Sequence, residues 1–239
     1  MVIKGFQKVS LIDYPGKVAA VVFVGGCNFR CPYCYNRDLV LCPERLPTIP
    51  EEEVLAYLEK RKGLVEGVVI TGGEPTLQKD LSHFAPKVKS LGLLIKLDTN
   101  GINSLILSSM IENGFVDYVA LDIKAPLDGH YGQMVGLESF DVSFILSSMK
   151  ELSTSNIEYE LRTTVVPGLH SEKDLLDLAK QLKEFAPRAK WFLQNFQPKN
   201  CLDPDFEKIK PYDNIFFENA LQKLRVYMPK VALRGGVSV

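Results

Sequence analysis

Three cysteines, Cys27, Cys31 and Cys34, fall within the stretch GGCNFRCPYCYN at residues 25–36, spaced C-x3-C-x2-C in a loop led by glycine. Thiolates this close along a short loop can face one point, so metal ligation is the first chemistry to weigh. A structural zinc site needs four closed ligands. Cys42 is the nearest further thiol, the first histidine is His83, and Cys201 stands far along the chain. A four-thiolate ferredoxin cluster normally uses C-x2-C-x2-C spacing, which this loop does not have. An inert buried thiol cluster is a further reading, although a glycine-led loop is unlike core packing. An iron–sulfur cluster on three protein thiolates keeps one iron open, and an open coordination position is what metal catalysis requires.

The elements that must position such a loop are legible in the hydrophobic pattern. Short β-branched runs alternate with longer segments of helical period, the pattern of repeated βα units and a parallel sheet. Six strands are expected, at 17–25, 67–71, 93–98, 116–123, 157–166 and 190–196. Helices are expected at 49–63, 78–92, 103–114, 141–155, 171–187 and 214–229, with Pro50 and acids opening the first and Gly92 and Gly114 at C′ positions. The run KVALRGG near the end is a candidate terminal strand. Every expected strand delivers its polar or glycine-rich signal just past its C-terminal end, the edge at which parallel α/β folds hold ligands. Six βα units are too few for a closed eight-stranded barrel, and chemistry contributed by all six favours a partial barrel over a doubly wound sheet. The expected fold class is α/β, a partial (β/α)6 TIM-like barrel with parallel strands, as a single domain over residues 1–239.

Composition narrows the function by exclusion. The 239 residues are 46% hydrophobic and 24% charged with a formal net charge of −1, which offers no global attraction to nucleic acid or an anionic membrane. The apolar run VAAVVFVGG falls well short of the roughly 20 residues that span a bilayer. The first 17 residues lack the basic head and apolar stretch of a signal peptide, so a cytoplasmic location is expected. Five cysteines are an odd number for a disulfide scaffold.

With Tyr33 before its last cysteine, the C-x3-C-x2-C loop resembles the signature of the radical S-adenosylmethionine (radical SAM) enzymes. The resemblance implies that Cys27, Cys31 and Cys34 hold a 4Fe–4S cluster whose fourth iron chelates the methionine part of SAM, and that one electron passed to the sulfonium yields a 5′-deoxyadenosyl radical. TGGEP at Thr71–Pro75 matches the glycine-rich motif of that superfamily: Gly72 and Gly73 permit close backbone approach, and Glu74 offers an acceptor for the methionine ammonium. LDTNG at 97–101 and LDIK at 121–124 each close an apolar run with an acid, which alone reads as a helix cap or Asx turn. Lys124 lies two residues past Asp122 and so on the same side of the strand. Asp98 and Asp122 are then candidates for ribose hydroxyls or a monovalent cation, and Lys124 for the SAM carboxylate. Arg162 in LRTTVVPG is either a salt-bridged surface arginine or another SAM contact. Asn195, Phe196 and Gln197 in NFQP are candidates to wall the adenosine, with a core role the plainer reading of Phe196.

Together with SLIDYPGK at 10–17, these motifs are most similar to the glycyl-radical-enzyme activating proteins, and within them to activators of anaerobic ribonucleoside-triphosphate reductase. The resemblance implies a glycyl radical enzyme as protein substrate and a flavodoxin or ferredoxin as electron donor. Gln197 stands where related pyruvate formate-lyase activators carry a histidine. Two alternatives are a radical SAM enzyme acting on a small molecule or peptide, and a zinc-binding structural or regulatory module.

Overall fold

Valine-rich runs with few polar interruptions form the central strands, because a parallel strand covered on both faces has no place for a polar side chain. In the computed structural model, which describes residues 1–234, these strands are β2 (Ala19–Val24), β3 (Gly67–Gly72), β4 (Leu94–Thr99), β5 (Tyr118–Asp122), β6 (Glu158–Val165) and β7 (Lys190–Asn195). All six match the expected strands to within about two residues. Two more flank them: β1 (Ile3–Ser10), absent from the sequence reading, and β8 (Val231–Arg234), the candidate terminal strand. The sheet order is the chain order, β1 to β8, so the sheet is open, in agreement with a partial rather than a closed barrel. Residues 235–239, the end of the span expected for the domain, lie outside the described residues.

The described residues group into two compact units. The first comprises Met1–Asn28, Asp38–Ala120 and Asn156–Glu158. In it β1 runs antiparallel to β2, while β2 pairs with β3 and β3 with β4 in parallel. The antiparallel β1 escapes a pattern search because Lys4, Gly5, Gln7 and Lys8 interrupt it, and a Cβ on Gly5 would lie 3.3 Å from the Phe23 side chain. One sheet face carries a core of Tyr14, Ala19, Val21, Val69 and Tyr118, with Phe23 and Leu94 packed against it. The opposite alternation, including Val22, Val68, Ile70, Ile95 and Leu97, is fully buried as well. Helices α2 (Glu51–Lys60) and α3 (Leu81–Ser90) pack on one another, and α3 packs on β4.

The second unit comprises Phe29–Arg37, Leu121–Ser155 and the chain from Tyr159 onward. Here β6, β7 and β8 are parallel in that order. Trp191 on β7 is fully buried and donates its indole N–H to Thr163 Oγ1 at 3.0 Å, while that hydroxyl donates to the Ile123 carbonyl at 2.8 Å. The Arg234 guanidinium on β8 grips the buried Glu160 carboxylate bidentately at 2.7 and 2.6 Å and stacks 4.3 Å from the Phe192 ring. Helices α6 (Ser143–Thr154), α7 (Glu172–Phe185) and α8 (Asn214–Leu224) pack in succession. A capping box between Ser171 and Asp174 starts α7, and Asp213 caps α8 by accepting from Phe216 N. No helix among the described residues is long and apolar enough to cross a membrane.

Candidate functional site

In the first unit the C-terminal ends of β2, β3 and β4 are tied to one another by their own backbone. Gly73 N donates to the Val24 carbonyl and Glu74 N to the Gly26 carbonyl, both at 2.8 Å. A Cβ on Gly73 would lie 1.8 Å from Gly26 O, and one on Gly72, at φ +112°, would lie 2.6 Å from Val24 N. The backbone that these glycines approach is the opening of the cysteine loop. Gln78 adds a side-chain brace, donating Nε2 to the Gly25 carbonyl at 2.8 Å.

Glu74 carries the tie on to β4. Its carboxylate is buried and accepts from four donors: Thr76 N at 3.0 Å, Thr76 Oγ1 and Thr99 Oγ1 at 2.6 Å each, and Asn100 N at 2.8 Å. Burial pushes its pKa up and these donors pull against the rise. A carboxylate so filled acts as an internal post between two strand-end loops. Asn100, held by it, donates Nδ2 to Asn28 Oδ1 at 2.9 Å and lies 3.9 Å from the Cys27 sulfur. On β4, Asp98 is paired with the ammonium of Lys96, a residue only 1% exposed.

In the second unit the later half of the cysteine loop is held by the segment after β7. Leu202 N donates to the Cys34 carbonyl and Asp203 N to the Pro32 carbonyl, each at 2.9 Å, and Asn200 Nδ2 donates to the Tyr35 carbonyl at 3.2 Å. Asn200 adopts a left-handed φ of 53°, a conformation Asn tolerates better than most residues. Burial raises the Cys34 thiol. Tyr33 is buried with no hydrogen-bond partner for its hydroxyl among the described residues, and burial holds that phenol protonated.

Asp122, at the end of β5, accepts from Arg162 Nε at 2.7 Å and Lys124 Nζ at 2.8 Å. Burial alone would raise this carboxyl, but the Arg162 and Lys124 charges outweigh burial and hold it well below the usual carboxylate range. Burial likewise opposes the charged form of Lys124, and the Asp122 charge outweighs it in the other direction. Asp122 thus lies between two cationic side chains in a desolvated setting. The backbone beneath is pinned by His170: Val166 N donates to its Nδ1 at 3.1 Å, so its Nε2 carries the proton and donates to the Lys124 carbonyl at 2.7 Å. Lys124 N in turn donates to the Tyr131 hydroxyl at 3.1 Å.

The structure therefore gathers Asp122, Lys124 and Arg162, fills Glu74 internally, and pairs Asp98 with a lysine the sequence reading did not use. Gln197 is exposed, and its carbonyl accepts from Lys199 N at 2.9 Å. Asn195 donates to the Tyr212 carbonyl at 2.9 Å and Phe196 is buried. None of the five cysteines is in a disulfide, and no three His, Cys, Asp or Glu side chains among the described residues are preassembled as a metal-binding group. Asn28, Asn100, Tyr131, His170 and Asn200 were missed; Asn100 had a visible signal in DTNG, whereas His170 follows a Pro-Gly turn with nothing local to mark it. The residues of the cysteine loop fit a three-thiolate cluster: Cys27, Cys31 and Cys34 are close in the chain, none is in a disulfide, and Asn28 Nδ2 and Tyr33 Oη in the same stretch are buried without a hydrogen-bond partner among the described residues.

A parallel α/β protein with a braced thiol loop and buried charges at its strand ends belongs to the class of metallocofactor enzymes that work at the C-terminal strand edge. Comparison with known proteins makes this specific: the family model described as the Radical SAM superfamily matches residues 21–182, and the chain belongs to that superfamily. A Methanocaldococcus jannaschii protein that carries the name glycyl-radical enzyme activating enzyme is 35% identical over 240 residues, covering 97% of this chain and 95% of its own. The pyruvate formate-lyase 1-activating enzyme of Escherichia coli is 30% identical over 190 residues, covering 77% of this chain and 74% of its own. Among solved structures, Streptococcus suis SuiB superposes with a TM-score of 0.66 at 17% identity over 91% of this chain, which spans about half of SuiB (49%). Family membership identifies a radical SAM enzyme and implies a 4Fe–4S cluster and SAM as its cofactors, which sets aside the zinc-module alternative.

Two outcomes follow from this geometry. Gly73→Ala is expected to lower stability by about 3 kcal/mol or more, because the Gly26 carbonyl is backbone and must shift; an unchanged denaturant midpoint would show that the two loops are not locked together. His170 has its pKa lowered, mainly by burial, so the unfolded chain binds the extra proton first and stability is lost as pH falls below about 6.5 toward the folded value. The thermal midpoint should fall across that window in the parent and stay level in His170→Gln.

Proposed function

We propose that this chain is a single radical SAM domain over residues 1–239 that acts as a glycyl-radical-enzyme activase in the cytoplasm, with anaerobic ribonucleoside-triphosphate reductase as its protein substrate and a flavodoxin or ferredoxin as electron donor. The observation that carries the reading is the Asp122–Lys124–Arg162 array, whose cationic donors suit the carboxylate of a bound amino acid, in a chain 35% identical over nearly its whole length to a protein that carries the name of an activating enzyme. A cluster on Cys27, Cys31 and Cys34 supplies one electron to the sulfonium of SAM when bound.

The chain's own residues do the rest. Tyr33 brings a buried, unpartnered hydroxyl into the cluster loop, and Asn100 and Asn28 stand beside Cys27 as amide groups that can fix its sulfur. Lys124 and Arg162, held apart by Asp122, present donors at fixed positions for the carboxylate. Gly72, Gly73 and Glu74 serve the methionine end by fixing the loop backbone, and Gln197 takes the place of a histidine contact after the sixth parallel strand. Asp98 and Asp122 are the carboxylates offered to ribose hydroxyls or to a monovalent cation beside the SAM carboxylate.

Electron paramagnetic resonance decides the substrate. With reduced, anaerobically reconstituted protein, SAM and the candidate reductase, a glycine-centred radical signal is expected on the reductase. SAM cleavage with a small-molecule or peptide product and no such signal would move the protein to the alternative. Cys27→Ala should abolish the absorbance at roughly 400 nm and Cys42→Ala should retain it; loss in both would refute ligation by three thiolates.

A further inference from the structure

Lys124 stands two residues past Asp122, the last residue of β5, and its own peptide groups must find partners outside the strand. Both partners are side chains. The Lys124 carbonyl accepts from His170 Nε2 at 2.7 Å, and its N–H donates to the Tyr131 hydroxyl at 3.1 Å. Tyr131 opens a single helical turn, Tyr131–Met134, and is fully buried. Its ring stacks on Phe140 with centroids 5.2 Å apart, and Phe140 meets the ring of Phe29 edge-on at 5.4 Å. Phe29 lies between Cys27 and Cys31. The same stretch of chain holds Arg30 by its backbone. Arg30 N donates to the Val135 carbonyl at 2.8 Å, and Gly136, at φ 72°, comes so near that a Cβ there would lie 2.3 Å from the Arg30 carbonyl.

Residues 131–140 thus form a strap within the second unit, attached at one end to Lys124 and along its length to the cysteine loop. The strap is held where it meets the loop: Val135 is fully buried, and Leu137 N closes the turn on the Gly132 carbonyl at 2.8 Å. The Lys124 side chain runs from that fixed peptide to its 2.8 Å contact with Asp122, so a shift of the peptide displaces the ammonium. We propose that Tyr131 is a positioning residue: its hydroxyl, carried by the strap, fixes where the Lys124 ammonium stands relative to the cysteine loop and so sets the affinity for the carboxylate of SAM. The proposal rests on the reading of Lys124 as a contact to that carboxylate. It gives Tyr131 no contact with SAM, so whatever Tyr131 contributes to binding passes through Lys124. Removing the hydroxyl leaves the Lys124 N–H without its acceptor and releases the peptide from the strap.

The test is a double-mutant cycle on SAM binding, read by equilibrium dialysis. It uses the full chain, anaerobically reconstituted, with the cluster left oxidised so that no electron is available to cleave SAM. Tyr131→Phe keeps the ring stack and removes the hydroxyl alone; its iron content should equal that of the parent, and its Kd for SAM should rise about tenfold. Lys124→Met should raise Kd about a hundredfold. In the Lys124→Met background the further effect of Tyr131→Phe should shrink to less than about twofold, because the two residues act in series. A merely structural tyrosine would weaken SAM equally in both backgrounds, and that result overturns the proposal, as does an unchanged Kd in Tyr131→Phe. An unchanged Kd in Lys124→Met is a different failure: it removes the reading of Lys124 as a carboxylate contact, and the proposal with it. Where Tyr131→Phe does not load iron to the parent level, Phe140→Leu, which removes the ring beneath the phenol and leaves the hydroxyl, takes its place in the cycle with the same expectation. Loss of iron in both variants would overturn the proposal, since the strap would then serve the fold of the loop and not the placement of Lys124.

Discussion

The contact between Gly73 and the Gly26 carbonyl sets the terms for everything around it. A peptide carbonyl in the place where any other residue would carry its Cβ forces two backbone segments to share van der Waals contact, and two hydrogen bonds from Gly73 and Glu74 keep them there. Because Gly26 precedes Cys27 directly, the position of the first thiol follows from the path of the chain leaving β3. A loop that must present sulfur atoms to a cluster has little stabilising packing of its own, and it takes its rigidity from neighbours that are themselves rigid. Glu74 extends the same logic by converting four donors on two loops into one buried node, which is why an ionisable side chain is tolerated at 1% exposure.

Charge is handled by local neutralisation. Lys96, Glu74, Asp122 and Glu160 are each buried or largely so, and each meets opposite charge or several donors within its own unit. At Asp122 two cations from different parts of the chain, Lys124 and Arg162, meet one carboxylate. A buried carboxylate keeps its charge only where such partners offset the loss of solvent.

The sequence was most informative where a rule is local. Strand positions followed from apolar runs, helix ends from Gly92 and Gly114, whose φ values of 79° and 66° are the left-handed ones expected at C′, and the pairing of Asp122 with Lys124 from the period of two. It was silent where partners are distant in the chain. His170 gains its role from Lys124, 46 residues earlier, and Asn200 from Tyr35, 165 residues earlier. Glu74 was read as an open acceptor because its spacing from the glycines is visible, whereas its saturation by Thr99 and Asn100 depends on the lateral pairing of β3 with β4. The edge strand β1 escaped for a further reason: exposed side chains at Gln7, Lys8 and Val9 dilute the alternation that marks a half-buried strand.

The two aspartate sites show how one constraint admits two solutions. A carboxylate at the end of a parallel strand sits where the sheet gives way to loops, and a neighbour two residues away on the same strand is the nearest side chain facing the same way. Asp122 has its lysine two residues downstream, past the strand end, where Lys124 is 16% exposed at the side chain and can turn toward a ligand. Asp98 has its lysine two residues upstream, where Lys96 is 1% exposed at the side chain and its ammonium contacts that carboxylate. Direction along the chain therefore separates a partly exposed lysine from a buried one. The same pair of residue types, Lys and Asp at a separation of two, has different surroundings in the two strands, and the burial of the lysine tells them apart.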